Sequence, residues 1–323
     1  MLIATLPTLV SDKDLELSEK ILSHPLIDAV RYNTGGASPY SPQEVLQRLA
    51  PLAQKHETKL YIDLEGRQVR IANWSPFSAG FVTLNRDFDI ELPGKIHFRR
   101  LGWFKITNAD QEKRRIFFDA RMSSSDYYLG ESQSVHIVAR KLQIPGYLAN
   151  QDLNFIDASI KSSIKSFMLS FVESYDDLSE FNESFGACDQ NGIGPPEIIA
   201  KIESLKGIDF VRNTRAYAMR EINYMAARDD LFLAHIDRKV DFLDSLKLIV
   251  ARDPDAILAS KIMSGLESGD NLTIGDLADM FLMAQLGYKN FMLSDELTRK
   301  FDWAISDWQK IIQPLLVKEV RNE

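Results

Sequence analysis

Short apolar runs alternate with stretches of helical periodicity along most of this chain. Eight runs predict strands, over residues 2–6, 28–33, 59–64, 166–171, 197–202, 222–227, 256–260 and 290–294. The segments between them mostly predict helices, over residues 11–22, from 41 onward, 150–162, 174–182, 210–220, 231–247, 273–286 and 297–320. Strands buried on both faces form near-continuous apolar runs of this kind. The pattern therefore predicts an α/β fold, a (β/α)8 TIM barrel.

One part of the chain departs from this alternation. Between residues 71 and 147 no apolar stripe of helical period occurs, and short β-type segments are separated by turn residues. These segments are GFVTL, IELP, KIHFR, WFKIT, RIFFDA and HIVARKLQI. We interpret residues 71–147 as an all-β domain inserted after the third strand, and residues 1–70 with 148–323 as the barrel. A domain inserted at that point is predicted to act as a lid over the barrel mouth.

Composition and charge narrow the class of function. The 323 residues carry a formal net charge of −8 and a pI of about 5.3, which argues against nonspecific nucleic-acid binding. Cys188 is the sole cysteine, so an intrachain disulfide is excluded and a thiolate zinc site is disfavoured. The five histidines do not follow strand ends, which disfavours histidine-based metal or triad chemistry. Neither a membrane-spanning apolar run nor a signal-peptide pattern occurs, so the sequence predicts a cytoplasmic protein without a membrane partner.

Polar side chains recur where the predicted strands end, which is where TIM barrels place their active sites. The fifth strand ends in Lys201 and Glu203, and a period of two puts both side chains on one face. Glu203 and Asp230 follow neighbouring strands, so their carboxylates are predicted to reach one Mg²⁺ ion. An ordinary surface salt bridge is the alternative interpretation of the Lys201–Glu203 pair. Ser294 and Glu296, at the last strand, are interpreted as loop residues.

Other strand ends supply complementary groups. Arg31, like Lys201, is a cation that could hold a phosphate or an enolate oxygen. Asn33 and Asp63 are oxygen donors that could bind a monovalent cation or orient Arg31. The hydroxyl of Ser260 could donate a hydrogen bond to a carboxylate or a proton to an enolate carbon. Polar loops alone would supply some of these residues, but they would less easily supply this combination of cations and carboxylates.

Seven segments at these strand ends resemble pyruvate kinase, in the order in which that family carries them. The family's AKIEN is similar to AKIES at 200–204, its MVARGDLG to MAARDDLF at 225–232, its ARLNFSHG to VRYNTGG at 30–36, and its LLDLKGPEIR to YIDLEGRQVR at 61–70. Its LSFV occurs at 169–172, its VATQMLESM is similar to LASKIM at 258–263, and its AVLDGADCIMLSGET is similar to residues 282–297, which include MLSDE. The segments span both parts of the predicted barrel, whereas the β insertion shares only a short IPG segment at 144–146 with the family.

The resemblance implies phosphoryl transfer between phosphoenolpyruvate and ADP, giving pyruvate and ATP and requiring Mg²⁺ or Mn²⁺. It implies that Lys201 neutralises the transferred phosphoryl group, that Glu203 and Asp230 hold the divalent ion and that Arg31 contacts the phosphate. It further implies that Asn33 and Asp63 lie at a K⁺ site, that Ser260 approaches the substrate carboxylate and the enolate, that Arg228 and Asp229 belong to the substrate loop, and that Arg70 lies towards the nucleotide. A homodimer is also among the expectations.

Several positions depart from the family's motifs. Asp229 stands where the family has a glycine at the loop that receives the substrate carboxylate, and its added charge should repel that anion. Gly35 and Gly36 replace a serine and a histidine, which removes one oxygen from the K⁺ site. The other departures are Glu65 for a lysine, Glu173 for an arginine and Gln68 for a glutamate. Since the chain stops after the eighth helix, the family's C-terminal domain is expected to be missing, and with it an effector site and part of the subunit interface.

Three functions are open on the sequence. The first is a minimal pyruvate kinase, and it is the function that we expect. The second is a diverged enzyme that keeps metal–enolate chemistry on a small keto acid without a nucleotide, which the altered charges at the mouth would suit. The third is a non-catalytic, pyruvate-kinase-like scaffold, which is disfavoured because Lys201, Glu203 and Asp230 are all retained.

Overall fold

A computed structural model describes residues 1–99, 101–120, 127–189, 192–214 and 222–320, without the side chains of 318–320. Contacts divide the chain into two compact units. The first comprises Met1–Thr34, Ser38–Leu64 and Asn150–Glu323, and the second comprises Gly35–Ala37 and Glu65–Ala149. The second unit therefore begins at Glu65, directly after the third strand, and includes a three-residue piece from the loop after the second strand.

The elements alternate as follows. The chain begins with β1 (Leu2–Thr5), α1 (Asp12–Leu22), β2 (Ala29–Asn33), α2 (Pro42–Lys55) and β3 (Lys59–Leu64). The second unit then contains β4 (Val69–Arg70), β5 (Ser75–Pro76), β6 (Phe81–Thr83), β7 (Asp89–Phe98), β8 (Gly102–Asp110), β9 (Arg115–Phe118), β10 (Tyr128–Leu129) and β11 (Ser134–Gln143). There follow α3 (Asn150–Lys161), β12 (Ser166–Leu169), α4 (Tyr175–Cys188), β13 (Glu197–Ile202), α5 (Leu205–Asn213), β14 (Ile222–Ala227), α6 (Arg228–Ala234), α7 (Phe242–Arg252) and β15 (Ile257–Ala259). The last elements are α8 (Ser264–Ser268), α9 (Ile274–Gln285), β16 (Asn290–Leu293), α10 (Asp295–Arg299), α11 (Phe301–Asp307) and α12 (Gln313–Val320).

Eight strands of the first unit close into a barrel, in the order β1-β16-β15-β14-β13-β12-β3-β2. Every neighbouring pair is parallel, and β1 completes the ring by pairing with both β16 and β2. Strand neighbours in space are thus also successive barrel strands along the chain, as a (β/α)8 barrel requires. The predicted fold class, a TIM barrel with an all-β domain inserted after the third strand, is confirmed.

The interior of the barrel is packed with apolar side chains. The buried cluster consists of Ile3, Ala29, Tyr61, Met168, Ile199, Met225, Ile257, Ala259 and Met292. Because successive side chains on a strand point to opposite faces, the next inward-facing side chain on each strand lies two residues later. This rule determines which side chains stand above the apolar layer, at the C-terminal end of the barrel.

Several predicted helices are wrong in their extent. The segment predicted as one helix over 231–247 forms α6 and α7, separated by a 3-10 turn at Lys239–Asp241. Arg238 precedes that turn with a non-helical backbone (φ −142°, ψ 72°), so an apolar period that continues through the break does not reveal it. The segment predicted over 297–320 is broken at Lys300 (φ −109°, ψ 36°) and contains a π-helical turn at Trp308–Ile312. The helix predicted over 210–220 is α5, which begins earlier, at Leu205; residues 215–220 lie outside the described part of the chain.

The helices found in the described ranges include none that is long and apolar enough to cross a membrane.

Within its described residues, the second unit is all β apart from a 3-10 turn at Phe77–Ala79. Its main sheet has the order β4-β11-β7-β8-β9-β6, and β10 pairs with β5 in a small second sheet. The predicted segments IELP and KIHFR form one long strand, β7, rather than two. Several phenylalanine side chains of the unit pack on one another in its core, for example Phe98 on Phe118 with ring centroids 4.9 Å apart. Buried Arg86 donates to the carbonyls of Gly66 and Tyr147, which ties the start of the unit to its end.

Candidate active site

A layer of polar side chains stands directly above the apolar interior of the barrel. Five of its members lie on or just after barrel strands and follow the interior residues by two positions: Thr5, Arg31, Asp63, Ser170 and Lys201. Polar residues are costly in a barrel interior unless they are paired, so a connected set of this kind marks the C-terminal end as the candidate site.

Asp63 is the centre of this layer. One of its carboxylate oxygens, Oδ2, accepts a hydrogen bond from Arg31 Nε at 2.7 Å and lies 2.6 Å from Arg31 Nη2. Lys201 Nζ donates to the same oxygen at 3.1 Å, and Ser170 Oγ donates to Oδ1 at 3.3 Å. Burial by itself raises the pKa of Asp63, but Lys201 and Arg31 outweigh it and the pKa is lowered. Asp63 is therefore ionised and, of the two roles expected of it, its contacts favour orienting Arg31.

Lys201 is a buried cation with several oxygen partners. Its side chain is largely buried, and Nζ lies 2.8 Å from Ser170 Oγ and 3.3 Å from Glu203 Oε1. Burial opposes its charge, but Asp63 and Glu203 outweigh that effect and raise the pKa of Lys201. The ammonium is thus permanently protonated. It suits neutralisation of an anion and does not suit general-base or Schiff-base chemistry, which needs a depressed lysine pKa.

Glu203 lies beside Lys201, as the strand period predicted. Its Oε2 accepts a hydrogen bond of 2.7 Å from the backbone N–H of Phe171, which has a left-handed backbone conformation (φ 53°). Burial raises the pKa of Glu203, Lys201 lowers it, and the carboxylates of Asp230 and Asp63 raise it further, to about 7. The influence of Asp230 shows that the two carboxylates predicted to share a metal ion act on each other electrostatically.

The carboxylates of Glu203 and Asp230 can be compared with the ligands that metal ions require. In the described ranges no group of three or more His, Cys, Asp and Glu side chains is arranged to hold a metal ion. Glu203 and Asp230 offer two carboxylates, and Mg²⁺ commonly takes one or two, completing its shell with water and substrate oxygens. Mutual repulsion of two carboxylates, which raises the Glu203 pKa, is relieved when a cation stands between them. These residues fit Mg²⁺ or Mn²⁺ better than zinc, which favours histidine and thiolate ligands.

The loop after β15 has an unusual backbone. Ser260, Lys261 and Met263 all adopt positive φ angles, of 68°, 56° and 53°, which are uncommon for residues with a side chain. Arg228 supports this loop by donating to the carbonyl oxygens of Ser260 at 2.9 Å and Lys261 at 2.8 Å. Its Nη1 also donates to both carboxylate oxygens of Asp279 of α9, at 2.7 and 2.9 Å. The contacts of Arg228 thus favour a role in holding Ser260 in place over direct contact with substrate.

Further charges line the rim near this loop. Asp229 is half-exposed, and its carboxylate lies 3.6 Å from Lys261 Nζ. Lys261 Nζ is also 3.9 Å from Glu267, whose Oε1 accepts a hydrogen bond of 2.6 Å from Ser294 Oγ. Asp229 therefore faces a local cation, which offsets part of the repulsion expected from it.

The two remaining predicted site residues are Asn33 and Arg70. Asn33 ends β2 and is paired in register with Asp63 of β3. Arg70 belongs to the second unit, where its Nε lies 2.5 Å from Glu65 Oε1 and its Nη2 donates to Gln68 Oε1 at 2.5 Å. A Cβ added to Gly35 would collide with the guanidinium of Arg70, so a residue with a side chain does not fit there without displacing this group.

The structure adds residues that sequence reasoning missed. Asp295, the first residue of α10, accepts a hydrogen bond of 3.1 Å from Arg31 Nη1, and Thr5 Oγ1 accepts one of 3.2 Å from the same nitrogen. Thr5 ends β1 and Asp295 comes two residues after the end of β16, so the strand-end rule that found Arg31 could have found them too. The partner of Arg228, Asp279, gave no such signal because it lies in the middle of a helix.

A carboxyl group whose pKa differs between the folded and unfolded states makes the free energy of unfolding depend on pH. Glu203 is expected to have this effect. With a folded-state pKa of about 7 against an ordinary value near 4.5, the folded chain binds more protons than the unfolded chain between those pH values. The stability that Glu203 contributes is thus complete below the ordinary pKa and is lost as pH rises through about 7. Because Glu203→Gln stays neutral at every pH, we expect the metal-free variant to be about 2 kcal/mol more stable than wild type at pH 6 and about 3 kcal/mol more stable at pH 8.5.

Urea unfolding in the presence of a chelator measures this difference. Glu197→Gln is the matched control, because Lys59 and Tyr61 hold the pKa of Glu197 below its usual range against the effect of burial. That variant should lose stability at both pH values. Equal effects of Glu203→Gln at pH 6 and 8.5 would contradict the raised pKa.

Comparison with known proteins identifies no relative for this arrangement. No protein-family model matches the chain, and no curated protein matches it at the significance required. The resemblance to pyruvate kinase thus rests on the seven strand-end segments and remains a prediction.

Proposed function

We propose that the chain catalyses Mg²⁺-dependent phosphoryl transfer between phosphoenolpyruvate and ADP, in the manner of a pyruvate kinase. One observation carries the proposal. At the C-terminal end of the barrel, the protonated ammonium of Lys201 lies 3.3 Å from the carboxylate of Glu203, on which Asp230 acts electrostatically. A buried cation next to paired carboxylates is the arrangement that a metal-bound phosphate requires.

Phosphoryl transfer needs positioning and charge neutralisation more than covalent chemistry from the protein. Lys201 and Arg31 place two permanent positive charges in the polar layer, where low exposure strengthens their effect on an anion. Asp63 holds both cations in place, so that little reorganisation is needed when substrate arrives. A divalent ion held by Glu203 and Asp230 would supply further positive charge to the phosphate oxygens.

Ser260 is the proposed partner of the other half of the substrate. Its loop is held by Arg228 and bears the strained backbone that often marks functional positions. The hydroxyl is proposed to hydrogen-bond the substrate carboxylate or to lie on the route by which a proton reaches the enolate carbon. Asn33 is proposed to support this end of β2; a K⁺ ion at Asn33 and Asp63 is the alternative role, which would add a third cation to the two that Asp63 already holds.

A second candidate is metal–enolate chemistry on a small keto acid without a nucleotide. The half-exposed carboxylate of Asp229 favours it, because added negative charge disfavours a substrate as highly charged as phosphoenolpyruvate with ADP. The engagement of Arg70 by Glu65 and Gln68 also favours it, since the guanidinium must leave these partners to contact a nucleotide.

A coupled assay for pyruvate formation from phosphoenolpyruvate, with and without ADP, separates the candidates. Turnover only with ADP and Mg²⁺ supports the first proposal, and replacing K⁺ by Na⁺ in that assay tests the monovalent site. Consumption of a keto acid without ADP, followed by mass spectrometry of the products, supports the second. Absence of both activities in protein that still binds Mn²⁺ would leave a non-catalytic scaffold. Glu203→Gln is the control that should remove any metal-dependent signal.

A further inference from the structure

Arg31 presents two different edges to its surroundings. Its Nε and Nη2 both contact Asp63, which is almost completely buried. Its Nη1 instead contacts Thr5 and Asp295, and the Asp295 side chain is 49% exposed, against 11% for that of Arg31. One anionic partner of Arg31 is thus enclosed in the barrel, and the other stands at its solvent side.

These two ion pairs differ in how easily they can be broken. Removing Asp63 from Arg31 would leave a buried charge without compensation, which is strongly unfavourable. The pair with Asp295 is partly hydrated and so contributes little net free energy, because solvent replaces the contact when it opens. Asp295 is the first residue of α10, a helix whose N-cap is supplied by Ser294, and its backbone carbonyl accepts a hydrogen bond of 3.0 Å from Thr298 Oγ1, so its side chain can leave Arg31 while its backbone stays in place. An external anion can therefore reach Arg31 Nη1 by displacing Asp295. Displacing Asp63 would cost far more free energy.

We propose that Asp295 is a specificity-determining residue, which occupies the anion-binding edge of Arg31 and must be displaced by the phosphate group of the substrate. Its carboxylate lowers the affinity of the site for phosphate in two ways: it competes for Nη1, and it repels the incoming charge. The inference rests on the proposed function only in taking Arg31 as the group that binds phosphate. It identifies the substrate class as phosphate-bearing anions that bind weakly to the unmodified site.

Titration calorimetry of the full chain with inorganic phosphate tests the inference directly. Asp295→Asn keeps the size of the side chain and removes its charge, and we expect it to bind phosphate about tenfold more tightly than wild type. Asp12→Asn is the matched control, because Asp12 is also the exposed first residue of a helix that follows a barrel strand. It removes the same unit of charge from the same end of the barrel and should leave phosphate affinity unchanged.

A double-variant cycle with Arg31 establishes the mechanism. Arg31→Gln should abolish phosphate binding, and the gain from Asp295→Asn should vanish in the Arg31→Gln/Asp295→Asn variant. Circular dichroism of each variant verifies folding. If Asp295→Asn binds phosphate no better than wild type, or if its gain persists without Arg31, the inference is overturned.

The phosphate measurement needs neither ADP nor turnover, so it can fail separately from the proposed function. Tighter phosphate binding by Asp295→Asn in protein that forms no pyruvate would overturn phosphoryl transfer and leave the role of Asp295 standing. Pyruvate formation with unchanged phosphate affinity in that variant would do the reverse.

Discussion

Replacing Lys201 by methionine is expected to lower the rate of phosphoryl transfer by about 1,000-fold or more, while divalent metal binding survives. Methionine fills a similar volume without charge, so the transferring phosphoryl group loses a preorganised cation in a site with little solvent, where one such donor is worth a factor of this order. The carboxylates of Glu203 and Asp230 remain. Because Lys201 lowers the pKa of Glu203, its loss should make metal binding more dependent on pH, and the comparison belongs at pH 8.5.

Two measurements and two controls make this prediction specific. Single-turnover kinetics report phosphoryl transfer, and calorimetry with Mn²⁺ reports the metal site. Lys59→Met is the matched control, because Lys59 begins β3 at the opposite end of the barrel, half-exposed and paired with Glu197. Glu203→Gln should show the converse pattern, with metal affinity lost. Retention of a substantial part of the wild-type rate by Lys201→Met would refute the assigned role of the ammonium.

Replacing Asp63 by asparagine is expected to destabilise the fold by about 3–5 kcal/mol, more than any single substitution at the rim of the site. The change leaves Arg31 and Lys201 buried close together without the carboxylate that neutralises both, and asparagine returns only a neutral acceptor. The pKa of Asp63 is lowered in the fold, so the stability that it contributes is present at neutral pH and is lost as pH falls through the lowered pKa. The difference between wild type and variant should therefore shrink in acid.

Chemical denaturation at pH 7 and in mild acid measures both parts of this prediction. Asp302→Asn is the control. Asp302 Oδ2 lies 2.6 Å from Lys20 Nζ, but both side chains are largely exposed. The free energy of unfolding of Asp302→Asn should equal that of wild type within experimental error. A small effect of Asp63→Asn would mean that water enters the polar layer and screens the two cations, and the site would then lack the low dielectric on which the proposed chemistry depends.

The extent of the barrel strands was predictable because each is buried on both faces, so its apolar run is visible without knowledge of its neighbours. Strand β3 was predicted with its observed bounds, whereas the strand predicted over 256–260 is shorter, β15, because Ser260 already has a left-handed backbone. The helices were harder to delimit. Periodicity continued through Lys239–Asp241 and through Lys300, where the backbone breaks the helix without any glycine or proline to mark it.

Part of the candidate site was also predictable from local strand geometry. The two-residue period of a strand by itself put Lys201 and Glu203 on the same face, and neighbouring strand ends brought Glu203 within electrostatic reach of Asp230. By contrast, the partners of Arg31 could not be read from the chain, because its contacts with Asp63 and Asp295 join residues that are 32 and 264 positions away. Sequence spacing carries no information about such pairs unless the register of every strand between them is known.

The sequence by itself thus determined the eight barrel strands, the β insertion after the third of them, and the residue types that meet at the C-terminal end. Those properties follow from side-chain polarity and strand period, which are local. Only the tertiary structure decided the raised pKa of Glu203, the enclosure of Asp63 between two cations, the bracing of Ser260 by Arg228 and Asp279, and the position of Asp295 on Arg31. Each of these depends on burial and on charges contributed by distant segments, and both quantities exist only once the barrel has closed.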